Sequence, residues 1–459
     1  MLVRRTEMGN VEGIESEVTV KRAYIAMGLA GAWLALGSMV DARAQIGFGI
    51  PPLPSGPPNP PKVLDHYPDK PSGQLVFTIP LSTLGFSTPG DNYLMRQQSV
   101  VSLDFVDEER VLFTFHVASG LRSRRPGVEE GEQRIRAMVI EVSTGKVDAQ
   151  TEWVVPDRSR YLWMLNDGHF LLRTKEGLDE GDPQLKTKSY WRSPGKLMWI
   201  QMDPKQEYII TNSLEPATAT GLRGGPAGTP KAKKVGVTKA QPEEQGLLVA
   251  RTMRRATREV VRETRVPWTS QKNDWPMNSE GYVERMHEKG ANWALKLSSY
   301  SGGEGRDLGQ LESTCMPAYS FVSDAELLVR RCDPAQGWVL EAFSSAGKPM
   351  WQRKAAVNAM WPLVIPSRDG TRVAQESLLL KHAVERYKRM IGAGDLLGQS
   401  VRVFNAADGS MLLEAPLTPV FDGGGNVATS PTGRRVAILN AGAIQVFELP
   451  SVSKSPGAR

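Results

Sequence analysis

Histidine and cysteine are scarce in this chain, with five of the former and two of the latter among 459 residues. The histidines, His66, His116, His169, His287 and His382, fall in separate stretches without paired spacing. No HExxH, Cys/His cluster or EF-hand loop occurs, so no metal site is encoded as a motif and no cofactor is expected. A GxSxG nucleophile elbow is missing too, as is a phosphate loop. The glycine-rich GAGDLLG (392–398) follows a helix-like stretch rather than a strand. Neither sign of charge dominates. Against 50 acidic residues stand 56 basic ones, a net charge of +6, which is not the footprint of a nucleic-acid binder. These absences exclude chemistry carried by a local motif. A site assembled from distant residues escapes such a search.

Long hydrophobic runs are also few, and one is informative. Lys21-Arg22 precede eighteen uncharged residues, AYIAMGLAGAWLALGSMV (23–40), and the Ala42-Arg43-Ala44 that follows has the small-x-small form of a secretory cleavage site. Residues 1–44 therefore read as a signal peptide cleaved before Gln45, for export to the periplasm or the cell exterior. The alternative is an uncleaved anchor, because residues 23–40 are just long enough to span an inner membrane. That segment is the only membrane contact expected. Proline then accumulates in IGFGIPPLPSGPPNPPK, so residues 45–72 read as an extended spacer.

Most of what remains is short apolar strands joined by polar turns. VATSPTGRRVAIL (427–439) resembles LVIPSRDGTRVAQ (363–375), and SFVSDAELLVRRC (320–332) resembles LDFVDEERVLFTF (103–115). Hairpins of this kind recur with turns near residues 108, 168, 206, 281, 324, 370 and 433. A second hairpin follows most of them, as in AMVIEVSTGKVDAQTEW (137–153), WVLEAFSSAGKPMWQRKA (338–355) and SVRVFNAADGSMLLEAPL (400–417); in the second unit LKTKSYWRSPG makes a poor one. Two hairpins make a four-stranded antiparallel blade. Seven blades over residues 73–450 make an all-β, seven-bladed β-propeller, with six blades as the alternative count and residues 451–459 as a polar tail. The last unit supplies three strands, and GQLVFTIPL (73–81) has no hairpin partner of its own. Placed as the outer strand of the last blade, it closes the ring as an N-terminal clasp.

The SPTGRRVAIL…GAIQVFEL unit and the STG and ADGS outer turns resemble the WD-repeat and YVTN-type β-propeller superfamily, over about residues 97–449. The Gly-His and Trp-Asp signatures of true WD repeats are absent. The resemblance implies a bacterial exported propeller and is nearly silent on function, since the superfamily holds scaffolds, ligand binders and a few enzymes.

With strands a to d named from the channel outward, the extra residues fall between b and c, at 118–136, 212–246 and about 376–399. The b–c and d–a connections open on one face of a propeller, which makes that face the expected binding surface. Residues 212–246, rich in Gly, Pro, Ala and Lys, read as disordered. Lys231, Lys233 and Lys234, with Arg122, Arg124 and Arg125, form a candidate basic rim, or simply solvated loops. In ESLLLKHAVERYKRM, Leu379, Ala383, Tyr387 and Met390 have helical spacing and predict a short helical insertion over 376–391. Trp163, Trp199 and Trp361 stand near the starts of a-strands, with Trp268 and Trp275 ahead of the fourth. At the channel mouth Trp163, Trp199, Trp275 and Trp361 could stack on a ligand, or they could wedge between blades as core.

Cys315 and Cys332 are expected to form a disulfide. A two-residue turn at Ser323-Asp324 sets Pro317 opposite Arg330 and Cys315 opposite Cys332, with Cα atoms about 4.5 Å apart. The functional expectation is a non-catalytic, monomeric propeller that binds an envelope protein or glycan on its insertion-bearing face. An enzyme acting on a carbohydrate or lactone at the channel mouth, and a purely structural scaffold, are the alternatives.

Overall fold

The computed structural model describes residues 62–63, 71–88, 100–117, 131–156, 160–216, 246–267, 275–333, 337–383 and 391–451. Its strands form seven antiparallel blades arranged in a ring. Blade 1 shows the plan: Val101–Phe105, Arg110–His116, Glu132–Glu141 and Val147–Pro156 are hydrogen-bonded in that order. Blade 4 departs from it. Among the described residues its strand a is a single bridge, Met277 to Tyr282, beside three full strands from Gly281 to Glu312.

The outer turns repeat because their chemistry repeats. In STGK, AGK and ADGS, Gly145, Gly347 and Gly409 each take a left-handed φ, of 70°, 79° and 69°. The amides of Gly145 and Gly409 bond back to the carbonyls of Glu141 and Asn405, both at 2.8 Å. A glycine in that position closes a short hairpin through a bulge, and the c–d ladders of blades 1, 5 and 6 shift register there. Blade 2 has an outer hairpin after all, built from Gly177–Gly181 and Thr187–Arg192, which begins earlier than LKTKSYWR suggested.

Apolar side chains fill the seams between blades, one core per seam. Val101, Phe113, Ile140, Ala437 and Ile444 belong to the seam between blades 7 and 1. The seam between blades 3 and 4 is the thinnest: five buried residues, Ile210, Ala250, Met277, Tyr282 and Tyr300, against nineteen at the 7–1 seam. Polarity contributes to the difference, because the alternation of the strands puts Asn212 and Thr252 of blade 3, both buried, on the same face as Ile210 and Ala250, where they replace apolar volume.

The N-terminal clasp is present. Gln74–Pro80 pairs antiparallel with Ala443–Glu448 as strand d of blade 7, and the Gly73 amide bonds to the Leu412 carbonyl of blade 6 at 2.9 Å. One contact was not anticipated. Lys62–Val63 adds a parallel strand to the outer edge of blade 5, opposite Trp351 and Gln352.

Three insertion boundaries need correction, the first because residues 132–136 of the 118–136 segment already belong to the strand Glu132–Glu141. Residues 212–215 belong to the strand Tyr208–Glu215, where Asn212 and Ser213 are fully buried, and residues 217–245 lie outside the described residues. Similarly, residues 376–380 are the end of the strand Arg372–Leu380 and not helix. Glu376 there faces Leu363 on one side and Val401 on the other, so ladder hydrogen bonds win over helical spacing. Residues 384–390 of the expected helix lie outside the described residues.

The disulfide exists, but its register was misread. Ser323 pairs with Glu326 around Asp324-Ala325, and a bulge at Val322 then sets Ala318, not Pro317, opposite Arg330. Cys315 therefore lies in the crossover from blade 4, beyond the ladder, with its Cα 5.4 Å from that of Cys332.

Candidate functional site: the central channel

All seven a-strands converge on one cavity of about 440 Å³. Their edges, not their faces, meet there, so the cavity is walled by side chains and turns from every blade. Asp104 comes from blade 1, Arg160 and Trp163 from blade 2, Gln201 and Asp203 from blade 3. Trp275, Tyr319 and Arg368 come from blades 4, 5 and 6, and Thr429 from blade 7.

Several polar groups are held by neighbours across seams. Asp104 accepts from Ser102 Oγ at 2.5 Å and stands 3.8 Å from Arg160. Burial holds its carboxyl above the usual aspartate range, with the Arg160 charge opposing the shift. Arg160 itself donates to the Leu162 carbonyl (2.7 Å), and its guanidinium carbon is 5.8 Å from the Trp163 ring centre. Gln206 joins blades 3 and 2: its Oε1 accepts the Asn166 amide (2.7 Å) and its Nε2 donates to the Met164 carbonyl (3.0 Å). Asp203 accepts the backbone N–H groups of Lys205 and Tyr208, and burial raises its pKa to about 6. Arg368, in the a–b turn of blade 6, reaches past blade 7 and donates to the carbonyls of Phe105 and Val106 in blade 1.

Beside the channel, at the 6–7 seam, lies a second polar cluster with Glu376 (1 % exposed), Gln399 and Asn426. The Phe421 backbone fixes Gln399, donating to its Oε1 (2.9 Å) and accepting from its Nε2 (2.8 Å). Gln399 Nε2 also donates to Glu376. Asn426 Nδ2 donates to Gln399 Oε1 at 2.8 Å.

Of the aromatic candidates, Trp163 and Trp275 do line the cavity. Trp163 also serves as core of the 2–3 seam, so the two readings of it coincide. Trp275 donates its backbone N–H to Gln201 Oε1 (2.8 Å) and meets Tyr282 edge-on, ring centres 5.1 Å apart. Trp199 is half-buried at a bulge of Lys196–Met202 and does not line the cavity. Trp361 lies in the strand Ala359–Pro366, but its side chain is outside the described residues. Arg122, Arg124, Arg125, Lys231, Lys233 and Lys234 of the basic rim, and Trp268, are outside them too. Sequence reasoning missed Asp104, Arg160, Tyr319, Arg330 and Arg368. All but Arg330 lie on or beside an a-strand, which is the signal that could have found them. Nothing in LLVRR distinguishes Arg330 from its neighbour.

No family model matches the chain, and no curated protein matches it. Similar solved structures include Hsv2 of Kluyveromyces lactis, at 14% identity over 64% of this chain and 74% of that one, TM-score 0.37. TolB from Acinetobacter baumannii is 10% identical over 71% of this chain and 78% of its own, TM-score 0.34. The acylaminoacyl peptidase of Pyrococcus horikoshii is 8% identical over 77% of this chain and 52% of its own, TM-score 0.45. Likenesses this distant carry no statement about activity or partner.

Proposed function

We propose that this protein is an exported, non-catalytic β-propeller of WD/YVTN type whose ligand binds in the central channel. The observation that carries the reading is the channel cavity itself. Its volume of about 440 Å³ falls within the range of small-molecule pockets, and its wall mixes tryptophan faces with converging polar groups. A binding role is favoured over catalysis because Asp104 and Asp203, the acids in the wall, are engaged with Ser102, Arg160 and backbone amides. Export is supported by the Cys315–Cys332 disulfide, since such bonds persist in oxidising compartments, and by residues 1–44 as the export signal. The insertion-bearing face would then meet an envelope protein or glycan.

A photoreactive side chain at Ser320, in the cavity, and another at exposed Lys188, on the outer strand of blade 2, test this in intact cells. The expected result is a small-molecule adduct at Ser320 alone, seen as a mass increase of the protein released from the envelope fraction. Recovery without any adduct would favour the scaffold reading.

A further inference from the structure

The thin seam between blades 3 and 4 has two unlike halves. Toward the a–b turns its polar groups are bonded. Arg262 of blade 3 donates to the Ser299 carbonyl of blade 4 (2.9 Å), and the rings of Tyr208 and Tyr300 pack with centres 4.5 Å apart. Asp324 of blade 5 accepts from Ser279 Oγ of blade 4 (2.7 Å) and pairs with Lys205 of blade 3 (2.7 Å), so one carboxylate pins three successive turns. Toward the insertion-bearing face the bonding fails. Asn212 is fully buried, yet among the described residues neither its amide nitrogen nor its oxygen has a partner. The indole Nε1–H of its cross-strand neighbour Trp199 is likewise buried and unbonded, as is that of Trp275, which packs against the same core.

Blade 4 covers that half poorly. Pleating turns Val283, Leu295 and Leu297 toward blade 5, and therefore Tyr282, Glu284 and Met286 toward blade 3 with their partners Ser298, Lys296 and Ala294. Tyr282 is buried, Glu284 and Lys296 are half-buried, and Met286 is 50 % exposed. Apolar burial thus fades toward the insertion-bearing face. The innermost strand of blade 4 is a single bridge, Met277 to Tyr282, so no ladder stiffens the channel side. Met277 itself lies both in the seam core and in the channel wall.

A buried polar group without a partner carries its desolvation penalty in the closed state and sheds it when water reaches it. Opening a seam ordinarily sacrifices apolar burial. Here little is lost, and three unbonded side chains become hydrated. We infer that the ring opens reversibly at the seam between blades 3 and 4, from the insertion-bearing face and about the bonded half as hinge, and that this opening is a side entrance to the channel. The opening stands by itself, whereas its use as an entrance rests on the ligand-binding reading above.

Because both native cysteines are in the disulfide, an introduced cysteine is the only free thiol. Ala250→Cys places one in this seam and Ala415→Cys one in the 6–7 seam, at sites of nearly equal exposure, 7 % and 6 %. In the native full-length protein, N-ethylmaleimide should label the Ala250→Cys variant at least about tenfold faster than the Ala415→Cys variant, at a rate that dilute urea barely changes. Equal rates would overturn the proposal. Asn212→Leu, close in size and without an amide, should raise the melting temperature and slow labelling of the Ala250→Cys variant severalfold. A lower melting temperature would mean that the amide is satisfied in the closed ring, and would overturn the proposal as well. Fast labelling at position 250 without any adduct at Ser320 would uphold the opening and remove its role as an entrance, so the two readings fail separately.

Discussion

Among the described residues Glu376 has no cation beside it, and burial pushes its carboxyl from the ordinary 4.5 up to about 8. The hydrogen-bond network demands the same protonation on independent grounds. Phe421 fixes which end of Gln399 accepts, so Asn426 must donate to Gln399 and turn its own oxygen toward Glu376, 3.2 Å from Oε1. Two oxygens that close repel unless one carries a proton, so Glu376 is a carboxylic acid donating to Asn426. In the unfolded chain the same group ionises near 4.5. Stability from this residue is therefore fully present below pH 4.5, falls as the pH rises toward 8, and is flat beyond. At about 1.4 kcal/mol per pKa unit the loss is on the order of 5 kcal/mol. Asp203 and Glu326, raised by burial to about 6 and 7, pull in the same direction. Thermal melts from pH 5 to 8 should show a falling midpoint in the wild type and a clearly shallower fall in Glu376→Gln, whose amide retains the shape of the acid. Equal slopes would mean that Glu376 is ionised in the fold.

Among the elements, the crossover from blade 4 to blade 5 shows what a strand pattern can and cannot reveal. The pairing of Cys315 with Cys332 was legible from their number and from the nearby hairpin, because two cysteines closing one short loop leave a single choice. The register was not, since the turn falls one residue later than Ser323-Asp324, the bulge at Val322 takes back only part of that shift, and no residue there announces either. Serine at position 313 does unannounced work as well: its hydroxyl donates to the Cys315 carbonyl (2.6 Å) and accepts the Cys332 amide (3.1 Å), satisfying the backbone where the ladder has ended. Because the bridge closes a loop of sequence separation 17, replacing both cysteines by serine should cost about 3 kcal/mol. Denaturant unfolding of the double variant measures this, and thiol titration of unfolded, unreduced wild type should find no free thiol. Channel residues were harder to read than hairpins. Hairpins are set by near neighbours in sequence, whereas Tyr319, Trp275 and Asp104 line one cavity only because the ring brings three blades together.

For the whole molecule the deciding feature is closure. Blade periodicity, the blade count and the clasp could all be read from the chain, because an apolar three-stranded blade at the end of a sequence needs a fourth strand from somewhere. The strap at Lys62–Val63 could not, since two residues carry no pattern. Deleting residues 74–80 strips strand d from blade 7 and removes Ile79 from the 7–1 core. It should turn a single cooperative melt into a lower and broader one, with oligomers on size-exclusion chromatography, as the edge Ala443–Glu448 seeks another partner. An unchanged monomeric melt would show the clasp to be dispensable. The same arrangement sets a timetable. Gln74–Pro80 leaves the ribosome before its partner, which follows about 360 residues later; at 5–20 residues per second the delay is about 20–70 s. During that interval the clasp strand has no partner to pair with, and the circle completes only after the last blade has been synthesised. Ring closure is thus the final act of biogenesis, and a nascent chain stalled short of residue 443 can stack its earlier blades but not fasten them.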